Sequence, residues 1–296
     1  MAEPALPAVT IHRVASDVGP GALAGESVAV LGYGTLGRTA ALNLRDSGLK
    51  VRVGNRHDVY ADRARAEGFE VVPLATAAPV MVDVLLVAPR MAGGAARTRY
   101  LAGQGFWACV GVEADRTGCA RERMLGLAAA LGALRGGALE MSATAEAVLD
   151  LFVEQTVGPL LGAAIMSAFE VGREAGIPAE ALVLEMYMSG EMEAVFEGFR
   201  TRGFFRAAED HGPTALFGGI TGTLDLDRAA LAERFRRVVD EITSGAFARS
   251  FQAEADGGYP MLAIARDLMN EASVMTEAES RLRNAVGMPE PSAEEW

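Results

Sequence analysis

Ser27-Val28-Ala29-Val30-Leu31-Gly32-Tyr33-Gly34-Thr35-Leu36-Gly37 decides the fold of the first half of this chain. A short apolar run breaks into a G-x-G-x-x-G turn, helix-forming residues follow from Arg38 to Ser47, and a second strand-like run stands at Val51-Arg52-Val53-Gly54. Strand, glycine turn, helix and strand within about thirty residues is the context in which that motif signals a dinucleotide site. Gly32 permits the tight turn, Gly34 lets a pyrophosphate approach the backbone, and Gly37 packs helix on strand. Tyr33, Thr35 and Leu36 complete the cradle, whose helix N-terminus offers free amides to phosphate.

Just past the second strand, Arg56 suits a 2′-phosphate or stacking on adenine, whereas Asp58 suits a ribose diol and repels that phosphate. Arg56 comes first and tilts the reading to NADP, with NAD left open. His57 between them reads as an exposed loop residue. Further along stand a helix from Tyr60 to Glu67, a short strand at Glu70-Val71-Val72-Pro73 and a brief helix near Ala75 to Ala78. The strong strand Val82 to Val87 then leads into Ala88-Pro89-Arg90, a strand surrounds Trp107 to Val112, and a helix spans about Arg116 to Leu131. About five strands make a shortened version of the doubly wound parallel sheet.

From Ala138 the pattern is helical, over Thr144–Val171, Pro178–Phe199, Leu231–Ser244 and Ala263–Val286. The Gly- and Thr-rich Thr201–Asp225 reads as an extended loop, and the tail from Pro289 as frayed. The expected architecture is therefore α/β plus all-α: a shortened Rossmann-like parallel-sheet domain over 1–137, then an all-helical dimerisation and metal domain over 138–296.

Within the first long helix, Asp150-Leu151-Phe152-Val153-Glu154-Gln155 sets two carboxylates four residues apart. At about 100° per residue they share one face. An arbitrary pair of this kind is a solvated face, but Val148, Leu149, Leu151, Phe152 and Val153 predict a helix buried in the protein. Two buried like charges need a cation between them, and Mg²⁺ suits hard oxygen donors. In the next helix Glu185, among Leu182, Val183, Leu184 and Met186, is the acid expected to point inward, while Glu191, Glu193 and Glu197 read as solvated.

A net charge of −12 disfavours nucleic acid and anionic membrane surfaces, so a small-molecule partner is expected. No run reaches the length of a transmembrane helix, and the start lacks a leader pattern, which predicts a cytoplasmic enzyme. Cys109 and Cys119 read as buried structural thiols. Lys50 is the only lysine, which all but removes Schiff-base chemistry.

With GYGTLG, Ala88-Pro89-Arg90, DLFVEQ and the glutamate helix in one order, and Ile242 to Ala248 after them, the chain resembles ketol-acid reductoisomerases from about Thr10 to Val286. The resemblance implies an intertwined homodimer whose active site is shared between subunits. It implies two Mg²⁺ ions promoting alkyl migration in a 2-acetohydroxy acid, followed by NADPH reduction of the 2-keto group; for this chain one or two Mg²⁺ ions are expected. Asp150 and Glu154 match metal ligands of the first helix, and Glu185 a ligand contributed by the neighbouring subunit.

Departures from the pattern accompany these matches. Ser189 replaces a second glutamate, Arg90 a lysine of the Ala-Pro-Lys motif, and Gly212 a substrate-binding serine. The passage from the third strand to Ala88 lacks the stretch bearing the family's active-site histidine, and His211 is the histidine with a route to substrate. It is open whether Val82–Val87 is the family's fourth strand, beside the first, or the later one ending in Ala-Pro-Lys. These features predict a divergent, repurposed enzyme acting on a small oxygen-rich carboxylate in a specialised biosynthetic pathway, with Asp150, Glu154, Arg90 and His211 carrying the chemistry. A metal-independent NAD(P)-dependent reductase and a non-catalytic descendant are the competing readings.

Overall fold

A computed structural model describes residues 9–13, 23, 25–77, 83–270 and 273–289. The chain divides into two compact units, Met1–Ala147 and Val148–Trp296. The first contains β1 (Ile11–His12), β2 (Ser27–Leu31), α1 (Thr35–Asp46), β3 (Lys50–Gly54), α2 (Val59–Ala66), β4 (Glu70–Val72), α3 (Leu74–Ala77), β5 (Val84–Pro89), α4 (Gly93–Leu101), β6 (Trp107–Ala114), α5 (Ala120–Leu131) and β7 (Gly137–Glu140). Val82 and Ala78, expected to begin a strand and end a helix, lie outside the described residues.

Strands β2, β3 and β4 form a parallel sheet, with Val28 opposite Val51 and Val53 opposite Val71. The other four form a second sheet in the order β1-β7-β6-β5, in which β6 and β7 run parallel and the outer pairs antiparallel. One continuous parallel sheet was the expectation; parallel pairs dominate, but the sheet is split. The physical reason is the short passage between β4 and β5. Among the described residues β2 ladders with β3 and β5 with β6, and no strand bridges β2 to β5. Of the two open alternatives, a fourth strand laddered beside the first is not formed among the described residues: β5 pairs with β6 and not with β2.

Two strands escaped the sequence reading. Ile11–His12 and Gly137–Glu140 are too short to show a period of two, and they exist because they pair with each other, Ile11 opposite Leu139. His12, placed ahead of the fold by sequence, is buried there with Nε2 2.7 Å from Glu140 Oε2. The residues from Ala138, read as helical, thus open on a strand. The core joins Leu44, Phe106, Val110, Met124 and Leu134 in one cluster and Tyr33, Leu42, Val53 and Phe69 in another. Helix α1 touches both, and its buried Asn43 donates to the Leu131 carbonyl at 3.0 Å. Cys109 is buried as expected, but Cys119 is exposed, because it precedes α5 at the surface end of the helix.

The second unit takes up α6 (Ala143–Glu174), which continues from the first, then α7 (Ala179–Val183), a π-helical turn (Leu184–Met188) and α8 (Glu191–Arg202). Next come α9 (Phe204–Ala207), a 3-10 turn (Ala208–His211), α10 (Gly212–Asp225), α11 (Arg228–Thr243), α12 (Ala246–Asp256), α13 (Pro260–Asn270) and α14 (Val274–Ala285). Here three expectations fail. Thr201–Asp225 is largely helical: Thr221 and Thr223 return their hydroxyls to the carbonyls of Phe217 and Gly219, which lets a Gly- and Thr-rich segment stay in a helix. The helix expected over Pro178–Phe199 is broken by the π turn and by Gly190 at φ 86°, a left-handed conformation that glycine tolerates. The helix expected over Ala263–Val286 is two, the second begun by a Ser273–Thr276 capping box.

Helix α6 runs unbroken through Pro159 for 32 residues, so by length and composition it could cross a membrane, contrary to the expectation that no such run exists. Only Thr156 and Phe169 of it are buried within this chain. The buried cluster of this unit is small, Phe169, Val183 and Ala278, while Phe205, Phe217 and Leu224 are 86%, 72% and 77% exposed.

Candidate active site

The glycine turn is built as its spacing requires. Gly32 adopts φ 89°, and its N–H donates to the Gly54 carbonyl at 2.8 Å, joining the ends of β2 and β3. Gly34 precedes α1 with open space where a Cβ would stand. Gly37 is held so close that a Cβ there would lie 2.2 Å from the Gly32 carbonyl oxygen. Thr35 opens α1, and its carbonyl oxygen would lie 2.6 Å from a Cβ on Gly93, so α4 closes on the same turn. Leu36 is 51% exposed. The turn borders a cleft of about 580 Å³ with Val87, Pro89 and Phe106 on its other walls, large enough for part of a dinucleotide.

Tyr33 differs from its neighbours in the motif. Its side chain is 1% exposed, stands edge-on to Phe69 and donates to Glu67 Oε2 at 2.6 Å. Burial and that carboxylate push the phenol well above its usual range. Burial opposes ionisation of Glu67, but hydrogen bonds from Arg38 and Tyr33 outweigh it and hold its carboxyl below the usual value. Tyr33 therefore braces the turn and offers a ligand only its backbone. Glu67, 34 residues away, carried no sequence signal for this.

At the expected selector of the cofactor, Asp58 is the N-cap of α2. Its Oδ1 accepts from Tyr60 N, Ala61 N and Asn55 Nδ2 at 2.7 to 3.0 Å. Arg56 and His57 are exposed in the same loop.

Arg90 follows β5, its N–H donating to the Trp107 carbonyl at 2.8 Å and its Nη1 meeting Glu146 Oε1 at 2.7 Å. Asp150 and Glu154 continue the face of α6 on which Glu146 stands. The burial expected for them is incomplete within one chain: Asp150 is half-buried and Glu154 exposed, while Phe152 between them stands edge-on to Phe235 of α11. Gln155 buries its amide nitrogen with no hydrogen-bond partner among the described residues.

Glu185 lies in the π turn and is exposed, not inward-facing. Ser189 ends the turn, its N–H donating to the Leu184 carbonyl and its hydroxyl accepting from Glu191 N. A π turn inserted in a helix often marks a functional site, and no periodicity in the sequence betrays it. Among the described residues no three His, Cys, Asp or Glu side chains converge within the chain, so Glu185 does not join Asp150 and Glu154 there. As hard oxygen donors one turn apart, Asp150 and Glu154 fit a divalent cation, and by themselves they supply part of its shell. His211 closes the 3-10 turn ahead of Gly212, which has φ 75°, and its side chain lies outside the described residues.

A glycine cradle on a parallel sheet, continued by a helical domain, defines a nicotinamide-dependent oxidoreductase as the class. Residues 144–288 match the family described as "Ketol-acid reductoisomerase, C-terminal domain". Residues 22–80 and 75–137 match "Acetohydroxy acid isomeroreductase, NADPH-binding domain", in two pieces that meet where the passage from β4 to β5 is short. The chain is 33% identical to "Ketol-acid reductoisomerase (NADP(+))" of Caldivirga maquilingensis over 80% of this chain and 86% of that one. It is 30% identical to "Putative ketol-acid reductoisomerase 3" of Saccharolobus solfataricus over 88% of this chain and 93% of that protein. A solved NADH-preferring ketol-acid reductoisomerase from an uncultured archaeon superposes with a TM-score of 0.83 at 26% identity, covering 93% of this chain and 98% of the other. The chain belongs to the ketol-acid reductoisomerase family, whose members couple an isomerisation to NAD(P)H-dependent reduction.

Proposed function

We propose that this protein is a divergent, cytoplasmic member of the family that performs a divalent-metal-dependent rearrangement and NADPH reduction on a small, oxygen-rich carboxylate. The observation that carries the reading is the retention of both the glycine cradle and the Asp150–Glu154 pair on an uninterrupted α6, with substitutions concentrated where substrate and a second ion are expected. The backbone amides of Gly34 to Gly37 bind pyrophosphate. Arg56 meets the 2′-phosphate, because Asp58 is tied to the cap of α2 while the Arg56 side chain is exposed.

Asp150 and Glu154 hold Mg²⁺ together with Glu185 of a second copy in an intertwined homodimer. The exposure of Glu154 and Glu185, the orphaned Gln155 amide and an α6 with only Thr156 and Phe169 buried support that arrangement. When bound, the cation supplies polarisation of a carbonyl and stabilisation of developing alkoxide charge. Arg90 orients the substrate carboxylate, with a guanidinium's reach and geometry in place of an ammonium's, and His211 donates or accepts a proton at substrate oxygen. Ser189 cannot replace a glutamate as an anionic ligand, and the shortened sheet leaves less wall around the nicotinamide, so the family's usual 2-acetohydroxy acids are turned over slowly. The assay supplies 2-acetolactate, Mg²⁺ and NADPH: trace or no oxidation of NADPH is expected, and turnover at about 10 s⁻¹ overturns the divergence.

A further inference from the structure

Glu146, Asp150 and Glu154 follow one another at four-residue steps on α6, so they share a face and rise by about 6 Å per step. The first of them is set apart by its surroundings. The Glu146 side chain is 13% exposed and pairs with Arg90, itself 25% exposed, at 2.7 Å. Both partners are anchored through their backbones. Arg90 ends the β5–β6 ladder, its N–H bonded to the Trp107 carbonyl, and the start of α6 is fixed to the same sheet by two bonds. Met141 N donates to the Val110 carbonyl at 2.8 Å, and Ala143 N donates to Glu113 Oε1 at 2.6 Å. This is not a pair of long side chains meeting loosely in solvent.

A guanidinium keeps its charge at any working pH and spreads it over five donors in a plane. An uncompensated cation at the root of α6 opposes a divalent ion on the next turns of the helix. A cation paired with a carboxylate presents only a weak dipole. With Nη1 on Glu146, the plane of the guanidinium is also set, which directs its remaining donors. We infer that Glu146 is a positioning residue that fixes Arg90 at the root of α6 and offsets its charge, allowing Asp150 and Glu154 to hold a divalent cation one turn further on. The inference rests on the reading of Asp150 and Glu154 as ligands.

The test is Mn²⁺ affinity, by titration of the full-length protein without nucleotide or substrate, for wild type, D150N, E146Q, R90M and E146Q/R90M, with the thermal midpoint of each metal-free protein alongside. E146Q is expected to weaken Mn²⁺ binding about 3- to 10-fold, and E146Q/R90M to recover most of that loss, because the cation that Glu146 offset is gone as well. R90M alone binds at least as tightly as wild type; weaker binding by R90M contradicts the charge argument even if E146Q does not fold. A merely structural pair lowers the thermal midpoints of E146Q and R90M, leaves affinity unmoved and shows no recovery in the double variant, and that result overturns the inference. If D150N binds Mn²⁺ as wild type does, the metal reading itself falls and takes the inference with it. Loss in D150N with no loss in E146Q removes the inference alone.

Discussion

On the proposed reading, the chemistry turns on Asp150 and the cofactor choice on Arg56. A carboxylate that would hold a metal ion loses much of that capacity when one oxygen becomes an amide, while its size and helix propensity barely change. Asp150→Asn is therefore expected to lower kcat by about 10²- to 10³-fold with an unchanged thermal midpoint; full activity would refute the metal reading. On the same reading, removing the exposed Arg56 guanidinium leaves NADH binding alone and deprives NADPH of its charged partner. Arg56→Ser should raise the KM for NADPH about tenfold and leave that for NADH within a factor of two. Equal changes for both nucleotides would mean that Arg56 only stacks on adenine.

Among the elements, β5 is approached through a residue held by several side-chain bonds. Asp83 at its start accepts from the Thr117 hydroxyl, from the N–H groups of Arg116 and Thr117, and from Arg123. These partners hold its carboxyl down to about 2, the Thr117 hydroxyl foremost. A carboxyl depressed in the folded state stabilises the fold fully above the unfolded value, near pH 4, and the contribution disappears as pH falls toward 2. Asp83→Asn should flatten the fall in thermal midpoint between about pH 4 and 2. An identical acid limb in the variant would show that Asp83 bears none of the acid sensitivity. The π turn is the second element of this kind: its i to i−5 bond from Ser189 to Leu184 sets Glu185 on a turn that straight helical spacing places elsewhere.

For the whole molecule, an α6 with two buried residues and the exposed Phe205, Phe217 and Leu224 leave more apolar surface uncovered than one chain accounts for. The dimer reading explains it and can be checked by complementation, since it draws Asp150 from one subunit and Glu185 from the other. Asp150→Asn and Glu185→Gln chains, each inactive alone, should regain about one quarter of wild-type activity when refolded together in equal amounts, because half the dimers are mixed and each has one intact site. No recovery would place all three carboxylates in one subunit's site.

The order of glycines in Ser27–Gly37, the helical period from Thr144 and the carboxylate spacing of Asp150 and Glu154 determined the two-part architecture and the candidate chemistry by themselves. Each is local: it depends on residues within one or two turns, and backbone sterics read such patterns directly. Strands of two to four residues, the split of the sheet and the partner of Tyr33 depend on residues 34 to 128 positions apart, which meet only after folding. The helical Thr201–Asp225 and the π turn went the same way, because hydroxyl back-bonding and a single inserted residue leave no period to read. Tertiary structure alone also paired Arg90 with Glu146: a strand end and a helix start come together only when β6 and β7 lie side by side, and that contact joins the sheet to the helix carrying Asp150 and Glu154.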